Sequence, residues 1–231
     1  MMAPIIQWNC LKVNFIEITL VVQAFLPVAF CLQETHLTKS YTINLKNYSV
    51  YSTYVDGDER AAGGSTILVR DSILHSYVNL NTDLQTCCTH HLDKTITLCS
   101  VYKAPNSALS LAQLTNVADQ LPTPFIVMGD FNGHNSFCGS KTTTDKDKTL
   151  ADIFSQEGLC IFNDGTDTYL HPVNGSYSAI DLTVTDPSLL LDFSWKVHDD
   201  LCGSDHFPII LESLNSTVGE RPTRYKFDKA D

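Results

Sequence analysis

Apolar positions recur in short runs along the chain, and most of those runs end in a polar side chain. Ile5–Cys10 reads as a strand carrying Asn9 at its end. From Asn14 to Phe25 the apolar residues Phe15, Ile18, Val22 and Phe25 follow helical spacing, which predicts one buried helix face. Asn14 can cap that helix, Glu17 stands three residues later, and Pro27 ends it. Val28–Leu32 is a continuous apolar strand running into Gln33-Glu34-Thr35-His36. A strand, a helix and a second buried strand make a βαβ unit, so part of the sheet is expected to be parallel.

The texture then changes to short strands, at Tyr48–Tyr51, Thr66–Val69, Ser76–Leu80, Thr86–His90 and Thr95–Tyr102, with a polar, Gly-rich loop over Val55–Gly64 and a turn at Leu92-Asp93-Lys94. This region reads as antiparallel. Leu109–Gln120 is expected to be a second helix, capped by Ser107 or Ser110, and Pro124 opens a strand over Phe125–Gly129. Leu150–Glu157 reads as a short helix closed by Gly158, followed by strands at Leu159–Phe162, Ala179–Val184, Ser194–Val197 and Phe207–Leu211. Many strands with few helices predict an α/β fold: a four-layer sandwich of two packed mixed β-sheets flanked by helices. Residues 1–213 form that domain in this reading, and 214–231 are a polar basic tail or linker with Arg221, Arg224, Lys226 and Lys229.

Composition changes this picture in three places. The 231 residues are 43% hydrophobic and 18% charged, which suits a globular chain, but the formal charge of −11 opposes a surface built simply to hold polyanions. A nucleic-acid binder with this balance needs a local basic rim or bound cations, and Lys141, Lys146, Lys148 and the tail are the expected rim. Eight cysteines show neither a Cys-x-x-Cys pair nor zinc spacing, so buried free thiols in a reducing compartment are expected. Phe15–Leu32 is interrupted by Glu17, Gln23 and Pro27, so no membrane span is expected there. His75, His90, His91 and His198 lack ligand spacing and read as surface or strand residues, while Phe193 and Trp195 read as core.

The polar residues that terminate strands are Asn9, Glu34, Tyr102, Asp130 with Asn132, Asp181, and Asp205 with His206. Side-by-side strands bring their ends together, so these groups can converge on one mouth. Carboxylates and amides without a row of lysines suit a hard divalent cation that retains waters and lets a substrate phosphate complete its shell. A His beside an Asp, with another Asp to hold its ring, suits proton transfer near neutral pH. Together they describe metal-assisted attack of water on a phosphate ester. Taken singly, each residue reads more readily as a cap or turn: Asp130 and Asn132 share a face only if the strand persists, and Asp-x-Asn is a common turn.

Six blocks carry a family resemblance: Trp8-Asn9-Cys10, Gln33–His36, Val101–Asn106, Gly129–His134, Ser178–Leu182 and Gly203–Pro208. In this order they resemble the endonuclease/exonuclease/phosphatase family with its DNase-I-like fold, most of all the endonuclease domains of LINE-type, non-LTR, jockey-like retrotransposons. The resemblance spans residues 5 to 211. It implies Glu34, Asn9 and Asp205 around a Mg²⁺ ion, with Mn²⁺ able to replace it. It further implies His206 as the histidine at the scissile phosphate, Asp181 as the carboxylate orienting that ring, and Asp130 as the residue handling the water or leaving-group proton. Asn132 and Tyr102 would hold phosphate oxygens. Asn106 and Thr168 would lie near the DNA backbone, and Ser204 would support the Asp205–His206 turn. Double-stranded DNA is the implied substrate, a reverse transcriptase domain of the parent element the implied partner, and the nucleus the implied location. Abasic-site or other phosphoester hydrolysis, or a catalytically inactive relic, are the competing readings. Relatives continue Trp-Asn-Cys with Arg-Gly-Leu, whereas Cys10 here runs straight into Leu11-Lys12, a deletion that can displace the metal site; Cys138 and Asp147 also stand where relatives carry Trp and Gly. No Tyr-x-Asp-Asp motif of a reverse transcriptase occurs in the chain.

Overall fold

In the computed structural model, residues 3–11, 15–53, 63–82, 84–90, 95–104, 111–132 and 158–214 are described. Two six-stranded sheets pack face to face. The first has the order β13 (Phe193–Val197), β14 (Ile209–Ser213), β1 (Ile5–Asn9), β2 (Ala29–Gln33), β4 (Ser65–Arg70), β3 (Tyr48–Thr53). The second has the order β5 (Ser76–Tyr77), β6 (Gln85–His90), β7 (Thr97–Tyr102), β8 (Phe125–Asp130), β12 (Asp181–Thr185), β9 (Cys160–Ile161). Each sheet is mixed for the same reason. Its single parallel pair, β1 with β2 or β7 with β8, is joined through a helix, while the remaining neighbours pair antiparallel. The helices are α1 (Phe15–Phe25) and α2 (Leu111–Gln120). Each lies on the outer face of its own sheet, which completes the four expected layers.

Strand alternation sorts side chains between layers. On β1, Ile5 joins the apolar cluster between the sheets, whereas Ile6 and Trp8 pack outward under α1 with Phe30, Leu32 and Leu68. On β8, Ile126 and Met128 face inward and Phe125 and Val127 face α2, together with Val101, Val117, Leu121, Leu182 and Val184. Because both faces are covered, β1, β2, β7, β8 and β12 are buried throughout.

The inward rows change character along their length. Ile5, Ala29, Leu98 and Ile126 at one end give way to Gln7, Gln33, Ser100 and Thr183, and finally to Asn9, Tyr102, Asp130 and Asp181. The middle tier is fully buried and hydrogen-bonded across the gap: the Gln33 amide donates to Ser100 Oγ at 2.8 Å, and the Ser65 hydroxyl reaches Ser100 Oγ at 2.8 Å. Such pairs are directional where apolar contacts are not, so they fix how the two sheets align. The strand-end side chains therefore face one another instead of being offset.

Several expectations shift in detail. The buried face of α1 is Ile18, Val21 and Val22, with Phe25 partly covered, and Phe15 is 41% exposed. That stripe follows the i, i+3, i+4, i+7 rule starting from Ile18, one turn later than predicted from Phe15. The Ser76–Leu80 strand shortens to two residues, and β12 and β14 begin two residues later than predicted. A two-stranded ribbon, β10 (Tyr169–Leu170) with β11 (Tyr177–Ser178), went unpredicted because its strands are too short to show periodicity. Among the described residues Cys10, Cys31, Cys99, Cys160 and Cys202 are free thiols, and Phe193 and Trp195 pack against the inter-sheet core, as expected. His75 is partly buried, hydrogen-bonded to the Ile73 carbonyl, and His198 stands edge-on to Phe25. No helix among the described residues is long and apolar enough to cross a membrane. The predicted Asn14 cap, the Leu92-Asp93-Lys94 turn, the Ser107 and Ser110 caps, the Leu150–Glu157 helix and the tail lie outside the described residues.

Candidate active site

Register alone assembles the centre. Tyr102 lies beside Asp130 in the parallel β7–β8 pair, and Asp181 lies directly opposite Asp130 in the antiparallel β8–β12 pair. Gly129 makes this possible: a Cβ there would overlap the Val101 carbonyl oxygen, so only glycine lets β7 and β8 approach just before Asp130. Asn9 ends the neighbouring sheet's β1, and its Nδ2 donates to Asp130 Oδ2 at 2.9 Å and to Glu34 Oε1 at 3.2 Å. One amide thus ties the carboxylates of two sheets together. Glu34 and His36 both adopt left-handed backbone conformations, φ 51° and 50°, which turn the chain sharply as it leaves β2. The His36 Nε2 lies 3.9 Å from Glu34 Oε2.

Asn132 reaches Asp130 by a different route from strand alternation. The strand stops at Asp130, Asn132 takes φ 49°, and its backbone N–H donates to Asp130 Oδ1 at 2.8 Å. This is an Asx turn. The same turn swings the Asn132 amide onto Asp130 Oδ2 at 3.0 Å and the Lys103 carbonyl at 2.8 Å. The turn reading and the site reading of Asp-Phe-Asn hold together.

His206 completes the centre from the loop before β14. Its Nδ1 lies 2.8 Å from Asp181 Oδ2, and because a carboxylate only accepts, Nδ1 carries the proton. Its Nε2 points toward Asp130 Oδ2, 3.9 Å away. The loop is pinned by Ser204, whose hydroxyl donates to the Asn9 carbonyl at 2.7 Å and accepts from the His206 N–H at 3.2 Å, and by Trp8 Nε1 donating to the His206 carbonyl at 3.0 Å. Ser204 thus ties the His206 loop to the end of β1. Thr168 does not sit where a DNA backbone could touch it: it is fully buried, and its hydroxyl accepts the N–H groups of Ile180 and Asp181 at 3.2 Å each. Its part is to hold the start of β12. Asn106, Lys141, Lys146 and Lys148 lie outside the described residues.

Gln7 and Trp8 were missed from sequence. Gln7 Nε2 donates to Asp181 Oδ1 at 3.3 Å, so both oxygens of Asp181 are engaged. Its signal was a polar residue inside an apolar strand. Trp8 stood in a quoted block, but nothing local announces that its indole reaches a loop 198 residues away.

Charge follows geometry. Burial, and then the Asp181 carboxylate, push the Asp130 carboxyl up to about 7, against the pull of His206, the Asn132 N–H and Asn9. For His206, burial acts to lower the pKa, but Asp181, then Asp130 and Asp205, outweigh it and raise it to about 9. Burial and the Asp181 charge thus favour the protonated form of Asp130, and the carboxylates around His206 favour its imidazolium. Burial and the Glu34 carboxylate raise the Tyr102 phenol, which also hydrogen-bonds Glu34, and burial and the carboxylates of Asp205, Asp130 and Glu34 raise Tyr169.

Ligand atoms of Asp130, Asp181 and His206 lie within 4.8 Å of one another. The carboxylate oxygens of this trio are already taken by His206, Gln7, Asn9 and Asn132; within it, Asp181 and His206 are hydrogen-bonded and Asp130 stands 3.9 Å beyond the ring. Glu34 and Asn9 meet at the strand ends, and Tyr169 feels the charges of both Glu34 and Asp205, so this mouth is the other place where a cation could sit. Its carboxylates add to burial in raising the Tyr102 and Tyr169 phenols. The donor set fits a hard divalent ion. The Asn9 Oδ1 accepts from the Leu11 N–H at 3.2 Å, so a half-turn of that amide would present oxygen to an ion. Despite the shortened connection after Cys10, Asn9 remains bonded to Glu34 and Asp130.

The comparisons with known proteins agree with this arrangement. A family model described as endonuclease-reverse transcriptase matches residues 96–210. A probable RNA-directed DNA polymerase from transposon X-element of Drosophila melanogaster is 24% identical over 185 residues, which is 78% of this chain and 20% of that protein. The chain thus spans about a fifth of this relative's length. Among solved structures, the endonuclease domain of TRAS1, a telomere-specific non-LTR retrotransposon, superposes with a TM-score of 0.78 at 20% identity, covering 91% of this chain and 97% of that one. A 3'-5' exonuclease from Neisseria meningitidis matches with a TM-score of 0.71 at 15% identity, over 91% and 99% of the two chains. An AP endonuclease from Archaeoglobus fulgidus matches with a TM-score of 0.71 at 12% identity, over 92% and 99%. Two mixed sheets with polar strand ends meeting at one mouth, the ordered sequence blocks and the matching family model lead to one assignment: the chain belongs to the endonuclease/exonuclease/phosphatase family with the DNase-I-like fold, in its endonuclease-reverse transcriptase branch.

Proposed function

We propose that this domain is a divalent-metal-dependent endonuclease that nicks double-stranded DNA to expose a 3′-hydroxyl for a reverse transcriptase belonging to the same element. The observation that carries the proposal is the buried Asp181–His206–Asp130 trio with the Asn9 amide linking Asp130 to Glu34. A structural capping role explains none of these buried charges facing one another. Glu34, Asp205 and Asn9 would hold Mg²⁺, with Mn²⁺ able to replace it; when bound, the ion neutralises charge on the phosphate and its leaving oxygen.

The chain's own residues do the rest. His206, kept protonated and aimed by Asp181, presents Nε2–H to a non-bridging phosphate oxygen and stabilises the added charge of the transition state. Asp130, poised near neutrality, exchanges a proton with the attacking water or the departing sugar oxygen. Asn132 holds Asp130 in orientation with its amide, which also donates to the Lys103 carbonyl, and Tyr102 stands beside Asp130 at the strand end, where the phosphate would lie. The retained bonds of Asn9 support an intact centre over an inactive relic. The implied substrate would locate the protein in the nucleus.

The test is relaxation of a supercoiled plasmid with Mg²⁺, with Mn²⁺ and with EDTA, beside Glu34→Ala and His206→Ala variants whose fold is checked by circular dichroism. A duplex carrying an abasic site forms a second arm. Metal-dependent nicking lost in both variants supports the proposal. Nicking that survives both substitutions refutes the site assignment, cleavage confined to the abasic duplex favours repair, and a folded, inert wild type favours the relic.

A further inference from the structure

His206 has one anchor on its ring. Asp181 holds Nδ1 at 2.8 Å, whereas Nε2 stands 3.9 Å from Asp130 Oδ2, beyond hydrogen-bond length. A ring held at one nitrogen can rock about that bond, and rocking sweeps Nε2 across the site. The Trp8 and Ser204 bonds fix the His206 backbone and leave the ring plane free.

The ribbon of β10 and β11 supplies what is missing. The Tyr169 ring lies 4.7 Å from the His206 ring, centroid to centroid, tilted by 50°. Its backbone is tied to the same loop: Tyr169 and His206 form an antiparallel bridge, the Leu170 N–H donates to the Asp205 carbonyl at 2.8 Å, and the Phe207 N–H donates to the Thr168 carbonyl at 2.8 Å. Ring and histidine thus move as one body. Those two hydrogen bonds are the bridge, and they tie the ribbon to the histidine loop on both sides of Tyr169.

We propose that Tyr169 is a positioning residue for the phosphodiester reaction, its ring setting the plane of the His206 imidazole so that Nε2 stays aimed at the mouth between Asp130 and the substrate phosphate. This rests on the nuclease reading given above. The contact runs between the two rings, their planes tilted by 50°, and burial together with the surrounding carboxylates keeps the phenol neutral, so the wall carries no charge of its own. The hydroxyl is therefore dispensable and the flat ring is not.

The experiment compares Tyr169→Phe, Tyr169→Leu and Tyr169→Ala, each alone and with His206→Ala, in steady-state nicking. The phenylalanine variant should match wild type within about twofold, while alanine and leucine lower kcat by about 10- to 100-fold with little change in KM, the cost of a misplaced catalytic group. In the His206→Ala background the same substitutions should cost nothing further, because their effect runs through that ring. A loss that persists without His206, an alanine variant with wild-type kcat, or a phenylalanine variant as poor as alanine would each overturn the proposal. Leucine keeps bulk without a flat face, and serves if alanine disrupts the ribbon. Should the wild type nick nothing, the nuclease reading fails separately, and the carbon-bound proton resonances of the His206 ring still decide the geometry. They should shift in Tyr169→Ala and not in Tyr169→Phe, and unchanged resonances in the alanine variant would refute the contact.

Discussion

Replacing Asp181 by asparagine removes one charge and leaves the shape of the site nearly unaltered. In the wild type Asp181 Oδ2 accepts the His206 Nδ1 proton at 2.8 Å, and Oδ1 accepts from Gln7 at 3.3 Å. An asparagine has one oxygen for these two donors, so either His206 or Gln7 meets an N–H instead. Losing a charge-assisted hydrogen bond costs about 1.5–3 kcal/mol, equivalent to lowering the imidazole by about one to two pH units from its raised position. Asp130 moves in the same sense, because the Asp181 charge that helps lift its carboxyl to about 7 is gone. Both limbs of the pH–rate profile should therefore slide toward acid together, and kcat at neutral pH should fall by about 10- to 100-fold as the ring loses its orienting partner. Single-turnover nicking from about pH 5 to pH 9.5 measures the profile. NMR titration of the His206 ring in metal-free protein measures its protonation without any need for turnover. An Asp181→Asn variant with an unmoved profile and an unmoved histidine titration would refute the coupling on which the mechanism depends.

The same buried groups make the metal-free protein lose stability as pH rises. Asp130 titrates higher in the folded chain than in the unfolded one, so its ionisation weakens the fold between about pH 4 and 7; the contribution of His206 is complete below about 6.5 and is lost as pH passes about 9. Denaturant unfolding in EDTA should show stability declining over this range, less steeply in His206→Ala; stability that rises instead would contradict both assignments. Gly129→Ala tests the strand contact beneath the site. The added Cβ overlaps the Val101 carbonyl, a fixed backbone atom, so a loss of at least about 3 kcal/mol is expected, and a loss below about 1 kcal/mol would mean that β7 and β8 are not so closely paired.

Local pattern was enough to find the strands that matter and the residues that close them. Asn9, Glu34, Asp130, Asp181 and His206 were legible because a polar side chain at the end of an apolar run has few reasons to be there, and such a break needs no knowledge of distant residues. Periodicity fails for two-residue strands, which is why the β10–β11 ribbon and Tyr169 stayed hidden although they clamp the histidine loop. The resemblance places Thr168 near the DNA, yet the fold buries it, since a hydroxyl that accepts the N–H groups of Ile180 and Asp181 is worth more there than in solvent. The residues read singly do not say which carboxylate orients the histidine; the resemblance names Asp181, and the tertiary structure shows what puts it there. That choice depends on register: Asp181 opposes Asp130 across β8 and β12, and on its inner face it meets a ring 25 residues away and the Gln7 amide of the other sheet. A one-residue slip would turn Asp181 outward and put Leu182 in its place, and what prevents the slip is the apolar packing of both faces together, which no single stretch of sequence contains.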